Sequence, residues 1–497
     1  MRLTSITDEA RIALANLTDF ASGMIAPSVR LGVTGLSRAG KTVFITALVH
    51  NLVHGGRLPL FSAAKSGRLA GAHLEPQPDD AVPRFDFEAH VERMVAERVW
   101  PDSTRRISEL RVTIDYESAS HWNRRLGRGQ LHLDIVDYPG EWLLDLPLLA
   151  RDYARWSAEA VALARLPARA GIAGPFLAAL DGLDPDGTED ETVARRLAAL
   201  FTDYLRAARA DAHALSTLPP GRFLMPGDLD GSPALTFAPL DVAPDRAALP
   251  KSLAAMMERR YDAYRDIVVR PFFRDHFARL DRQVVLVDAL QALNAGPAAV
   301  EDLRHALGDI LEAFRPGRAS WLSSILTRRI DRILFAATKA DHLHRSSHDR
   351  LEAILRRLVG SAMERAAFAG AAVDVVALAA VRATREATVT RDGERLPAIL
   401  GVPAAGETIG DTVFDGTAEA AIFPGDLPAD PDVLFRQVAA GAAAGGDPAA
   451  TASLAPDVSF VRFRPPRLER TAEGMTLSLP HIRLDRVLEF LIGDRLT

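Results

Sequence analysis

The stretch Gly35-Leu36-Ser37-Arg38-Ala39-Gly40-Lys41-Thr42 limits what this chain can fold into more than any other feature. It fits G-x-x-x-x-G-K-[ST] at every fixed position. The apolar run Leu31–Thr34 before it predicts a buried strand, and Val43, Phe44, Ala47 and Leu48 after it recur at helical spacing. Gly35 and Gly40 let the backbone wrap a phosphate closely. The successive N–H groups of Ser37 to Val43, at a helix N-terminus, supply positive potential. Lys41 is placed to reach the β- and γ-phosphates as a point charge, and the Thr42 hydroxyl to ligate Mg²⁺.

Composition narrows the setting. A chain of 497 residues, 48% hydrophobic and 25% charged, is ordinary globular material with room for two or three domains. Its formal charge of −6 gives no general pull toward nucleic acid. With no cysteine there is no disulfide framework, no thiolate nucleophile and no cysteine metal site. The first twenty residues lack the apolar core of a signal peptide, and no long apolar run predicts a membrane span. The expectation is a cytoplasmic protein, with peripheral contact at the inner membrane open but not favoured.

Lysine is rare here. Of 59 basic residues only Lys41, Lys65, Lys251 and Lys339 are lysines. Lys339 lies in Thr338-Lys339-Ala340-Asp341, after the apolar run Ile333–Ala337, and fits the [NT]-K-x-D pattern of G-domain proteins. An aspartate there accepts two hydrogen bonds from the guanine N1–H and amino group; adenine has no such donor pair and would leave the carboxylate unpaired. The lysine stem can lie along the base, where an arginine's broad head fits less well. Between these motifs, Leu131–Val136 reads as a strand ending in Asp137-Tyr138-Pro139-Gly140. This is a D-x-x-G unit in which Asp137 would hold Mg²⁺ through water and the Gly140 N–H would sense the γ-phosphate.

The segments "VTGLSRAGKTVFITALV", "DYPGEWLLDLPLL", "ATKADH" and "LPHIRLDRVLEFLIGDRL" resemble the YcjX-like family of P-loop proteins, from about Arg30 to the end. The resemblance implies a core similar to Ras-like GTPases, although the family is often labelled ATPase. It also implies a bacterial stress setting alongside the phage-shock response. On that core, Ser103 and Thr104 stand where switch I belongs, before a strand from Ile107 to Tyr116, and Thr104 is the candidate second Mg²⁺ ligand. Trp100 either stacks on the base or anchors its loop. Gln283–Leu290 is the expected fourth strand and Val373–Val381 the sixth, with the Ala380 and Val381 backbone near the base; His342 directly follows the base motif. Glu141 occupies the place where Ras-like enzymes commonly carry a water-orienting glutamine. Its charge repels a γ-phosphate, so turnover should be slow unless an arginine offsets it; Arg38 and Arg105 are candidates. The plainer reading of Glu141 is a helix-start acid.

The resulting expectation is an α/β P-loop, Ras-like G domain with a large helical insertion and a small β-rich C-terminal region. Residues 1–27 form an N-terminal helical segment, and 28–142 carry the P-loop, an extended switch I and switch II. Residues 143–281 are the insertion, 282–384 complete the G domain, and 385–497 hold the β-rich region and a closing helix. The ligands are GTP and GDP with Mg²⁺, and a protein partner would use the insertion or the switches. The predicted activity is GTP hydrolysis by a stress-linked switch. The alternatives are a P-loop ATPase, or a nucleotide-stabilised scaffold with negligible hydrolysis.

Overall fold

A computed structural model describes residues 27–36, 38–102, 104, 106–119, 129–313, 330–368, 370–391, 394–436, 460–468 and 478–497. The expected helical segment at the N-terminus, Ser37, Ser103, Arg105 and the alanine- and glycine-rich stretch 439–457 lie outside them, save Pro27.

Seven strands make the central sheet: β1 (Ser28–Gly35), β2 (Leu69–Glu75), β3 (Ser108–Tyr116), β4 (Gly129–Asp137), β5 (Arg282–Val287), β6 (Arg332–Ala337) and β7 (Ala372–Ala377), in the order β2-β3-β4-β1-β5-β6-β7. From β4 to β7 all neighbours are parallel, while β2 and β3 run antiparallel. β1, β5 and β6 are covered on both faces, which is why they read as nearly continuous apolar runs. The register pairs Val33 with Asp137, Gly35 with Leu286, and Ala337 with both Val287 and Ala377. Each motif follows a strand, so the register gathers all of them on one sheet edge.

Nine helices are used below: α1 (Lys41–Val53), α2 (Tyr153–Ala164), α3 (Pro167–Asp181), α4 (Glu191–Arg209), α5 (Leu253–Tyr264), α6 (Ala289–Ala295), α7 (Pro297–Ala313), α8 (His348–Phe368) and α9 (Leu484–Ile492). α1 and α9 share one core with the sheet through Phe44, Leu48, Val487 and Leu491. The other face joins the insertion, α7 and α8 in a larger core. At its centre Trp156 stacks on Tyr261, with ring centroids 5.0 Å apart. Beyond the G-domain sheet, β8 (Arg385–Arg391), β9 (Glu394–Gly401) and a short strand at Ala420–Ile422 form a small separate sheet. Among the described residues no helix is long and apolar enough to cross a membrane.

Several expected elements differ. The expected strand Gln283–Leu290 stops at Val287, because Asp288 accepts the Gln291 N–H and caps α6, turning Ala289 and Leu290 into helix. The sixth strand ends at Ala377 rather than Val381; beyond it Ala379 bridges to Ile482. The extended switch I region contains β2, an edge strand whose Gly and Ala content hides any alternation. The same region also holds a helix that is α from Phe87 to Glu92 and continues as a π turn to Glu97. Residues 210–252 of the insertion hold short 3₁₀ turns and no α-helix, as their many prolines and glycines require. In the β-rich region the described part of "VSFVRFRPP" makes one bridge, between Phe463 and Pro403; Pro465 and Pro466 have no N–H to extend a ladder.

Candidate functional site

β1 delivers Gly35 into a tight place. A Cβ there would lie 2.8 Å from both the carbonyl oxygen and Cβ of Leu286 and 2.9 Å from Ala39 Cβ. Gly40 turns the chain into α1 with φ 81°, a conformation suited to glycine. Ala39 N–H donates to Leu36 O at 3.1 Å, closing the loop, and α1 opens with Phe44 N–H on Gly40 O at 2.9 Å. Lys41 is buried and its Nζ donates to Gly35 O at 3.3 Å. Val43, half-buried, lies in the first turn of α1. The Arg38 guanidinium is ion-paired with Asp211 of the insertion.

The three expected metal ligands come together. Thr42 Oγ1 lies 3.4 Å from Thr104 Oγ1, and Thr104 donates to Asp137 Oδ2 at 2.8 Å. Asp137 Oδ1 is buried with no hydrogen-bond partner. Burial raises the Asp137 carboxyl to about 6, against the opposing pull of Lys41 and the Thr104 hydroxyl. A buried carboxylate with one unpartnered oxygen, a threonine hydroxyl on the other and a second hydroxyl beside the first is a donor set of the kind a hard divalent cation takes. Asp134 belongs to a different pair, with Arg111 Nε at 2.6 Å. It therefore forms no dyad with Asp137.

Gly140 presses on the P-loop. A Cβ there would sit 1.7 Å from Gly35 O, so only a residue without a side chain lets this backbone come so near. Past it, Gly140–Ala150 is a 3₁₀ segment knitted to the insertion. Glu141 is buried, and its Oε1 lies 2.7 Å from Arg209, the last residue of α4. Glu141 is thus an acid in the first turn of that segment, as the plainer reading has it, but a buried and ion-paired one. Gly221 backs onto the same residue, where a Cβ would meet Glu141 O at 1.8 Å. Trp142 donates its Nε1–H to Met225 O at 3.2 Å and lies beneath the Arg222 guanidinium, 3.2 Å from the ring centroid. Asp145 accepts from Gly221 N–H and from Tyr264 of α5, both at 2.7 Å.

On the base side, Lys339 adopts φ 61° and its ammonium is ion-paired with Asp288. Thr338 braces the loop, donating its N–H to Val287 O at 3.0 Å and its hydroxyl to the same oxygen at 3.4 Å. Asp341 is 4% exposed and its Oδ2 accepts the Ala383 N–H at 2.8 Å. Burial lifts this carboxyl to about 6 despite that bond. The backbone N–H that meets the Asp341 carboxylate is that of Ala383, while Val381 is buried in the core that includes α9 and Ala380 packs against it. His342 is buried edge-on against Phe463, at 5.3 Å between ring centroids, and burial lowers it to about 3. It stays neutral there and packs inward. Trp100 donates its indole N–H to Phe463 O at 2.6 Å, which makes it a loop anchor. Among the described residues no group of three or more histidine or carboxylate side chains is gathered so as to hold a metal ion by itself.

Four residues escaped sequence reasoning: Arg209, Asp211, Asp288 and Ala383. Asp288 was within reach, as a capping residue right after an apolar run. Arg209 and Asp211 carry no local signal, since only tertiary folding brings them beside the P-loop.

A family model described as YcjX-like family, DUF463, matches residues 29–496. The chain is 38% identical over 483 residues to a protein of Escherichia coli (strain K12) named Ras-like GTPase YcjX, covering 94% of this chain and 96% of that one. It is 34% identical over 491 residues to a protein of the same name from Shewanella oneidensis, covering 94% of each. With a match of this extent over a sheet that gathers P-loop, D-x-x-G and T-K-x-D on one edge, the chain belongs to the YcjX-like family.

Proposed function

We propose that this protein is a Mg²⁺-dependent guanine-nucleotide-binding protein that hydrolyses GTP to GDP and acts as a stress-linked switch. The observation that carries the reading is the chain of contacts from Thr42 to Thr104 to Asp137 Oδ2, on a carboxylate whose other oxygen, Oδ1, is buried with no hydrogen-bond partner among the described residues. The naming of both relatives as Ras-like GTPases favours it too. Thr42, Thr104 and Asp137 would hold the ion, which when bound supplies charge neutralisation at the phosphate oxygens. Lys41 and the loop N–H groups bind and orient the phosphates. The Gly140 N–H, pressed against the P-loop, is placed to respond to a γ-phosphate. Asp341 selects guanine by accepting from its N1–H and amino group, and the Ala383 backbone lies at the same carboxylate. Turnover is slow because a buried glutamate stands after Gly140. The protein acts in the cytoplasm on a protein partner that meets the insertion or the switches, and nucleic acid is not a ligand.

Competition binding with GTP and ATP, with and without Mg²⁺, tests the reading. A tighter grip on GTP that depends on Mg²⁺ is expected; a tenfold preference for ATP would overturn the guanine assignment in favour of an ATPase. Single-turnover phosphate release separates a slow GTPase from a scaffold that only binds.

A further inference from the structure

The Glu141–Arg209 pair joins two parts of the molecule that meet at the phosphates. Glu141 follows Gly140, whose backbone is pressed against Gly35 of the P-loop. Arg209 ends α4, where the chain breaks from helix at Ala210. The two side chains line one cleft with Leu36 and Arg38 of the P-loop and with Asp288. Arg209 therefore shares this cleft with the loop's second and fourth residues, Leu36 and Arg38. Arg38, the P-loop arginine, is ion-paired with Asp211, two residues beyond Arg209. A carboxylate at position 141 left alone would repel a γ-phosphate, and burying it unpaired is costly. Arg209 answers both problems at once.

Resting on the nucleotide reading above, we propose that Arg209 is the arginine that this enzyme supplies in cis to the γ-phosphate, stored on Glu141 when no triphosphate is present. A terminal phosphate offers several anionic oxygens to a planar fork of donors, and it competes with the carboxylate for the guanidinium. In the reaction the water oxygen forms a bond to the γ-phosphorus and the bridging P–O bond breaks. GDP leaves with the bonding electron pair, and the water's proton ends on the released phosphate. Arg209 remains protonated throughout and stabilises the charge on the transferring group. The role of Glu141 is to hold and release this arginine, so it positions Arg209 and does not activate water.

The test uses the full chain and three variants: Arg209→Gln, Glu141→Gln, and the two combined. Binding of GDP and of a non-hydrolysable GTP analogue is measured first, then single-turnover hydrolysis, then the tightening of GDP binding by aluminium fluoride, which mimics the transferring phosphoryl group. For Arg209→Gln the expected result is ground-state binding within about threefold of wild type, with turnover lower by about 10³-fold and the fluoride effect lost. Glu141→Gln should keep the fluoride effect and turn over at least as fast as wild type, because its arginine is released. The combined variant restores charge balance in the cleft, so it reads out the arginine free of any unpaired glutamate. It should stay as slow as Arg209→Gln. Recovery of wild-type turnover in the combined variant would reduce the pair to structural support and overturn the proposal. So would unchanged turnover or an intact fluoride effect in Arg209→Gln. If the wild-type protein binds GDP and the analogue, such results overturn this assignment alone; if it binds neither, the nucleotide reading falls first and takes the assignment with it.

Discussion

Thr104 donates its hydroxyl proton to Asp137 Oδ2 across 2.8 Å, linking the segment before β3 to the end of β4. Thr42, at the start of α1, lies 3.4 Å away. Switch I is the segment that closes over a γ-phosphate and opens without it. Thr104→Ala is therefore expected to leave GDP affinity within about twofold of wild type while weakening a GTP analogue with Mg²⁺ by about tenfold, ~1.4 kcal/mol. Titration calorimetry with both nucleotides checks this. Equal losses for the two would place Thr104 outside switch I.

Gly140→Ala adds a methyl 1.7 Å from Gly35 O. The backbone at Gly140 must then draw back from the P-loop. The variant should still fold, because the rest of the segment is anchored through Asp145 and Trp142. Its expected defect is selective: GDP still binds, and the triphosphate state does not close. Limited proteolysis in the presence of a GTP analogue reads this out, with wild type protected and the variant cut as in GDP.

Asp341 tests specificity. Its carboxylate is an acceptor buried beside the Ala383 N–H. Asp341→Asn replaces one acceptor by a donor, which opposes the guanine N1–H and amino group and suits the carbonyl of xanthine. Guanine nucleotides should weaken by at least about 10²-fold and xanthine nucleotides should gain. A variant that keeps its GTP affinity would remove the base-reading role from Asp341.

Asp145 gives a pH dependence with a definite sign. Burial raises its carboxyl from 3.8 to about 6, although Tyr264 and Gly221 donate to it. The folded state thus holds this proton more tightly than the unfolded chain. The stabilisation is full below the unfolded value and is lost as pH rises through the window from 3.8 to about 6. Asp145→Asn keeps an acceptor for Gly221 N–H and carries no charge to bury. It should equal wild type in stability near pH 4 and exceed it near pH 8 by up to about 2–3 kcal/mol, at ~1.4 kcal/mol per pKa unit. Thermal unfolding of both proteins across that range checks the sign: a variant less stable at high pH would refute it.

The parts legible in the sequence were those fixed by short-range chemistry. Gly35, Gly40, Lys41 and Thr42 announce a phosphate loop because such a loop needs those residues in that order. The apolar runs of β1, β4, β5 and β6 announce strands covered on both faces. The parts that stayed hidden depend on distant contacts. β2 is held by pairing with β3, and its own residues show no alternation. The turn after β7 is set by Ala379 bridging to Ile482, about a hundred residues on, and it brings the Ala383 N–H onto the Asp341 carboxylate, a contact no local pattern announces. Arg209 reaches Glu141 only because α4 folds back over switch II.

That folding-back leads to the last prediction. Three successive contacts tie the segment after Gly140 to the insertion: Glu141 to Arg209, Trp142 to Arg222 and Met225, and Asp145 to Gly221 and Tyr264. Switch II moves when a γ-phosphate leaves, and these contacts are short, buried and charged or aromatic. Motion there cannot be absorbed locally without breaking one of them, so it passes into α4, the loop 210–225 and α5. Hydrogen exchange with GDP and with a GTP analogue should therefore show altered protection in all three, and not only in 140–150. Glu141→Gln should shrink the change in α4 while sparing that in α5, which is coupled separately through Asp145. Protection changes confined to 140–150 would make the insertion a static attachment that does not follow the nucleotide.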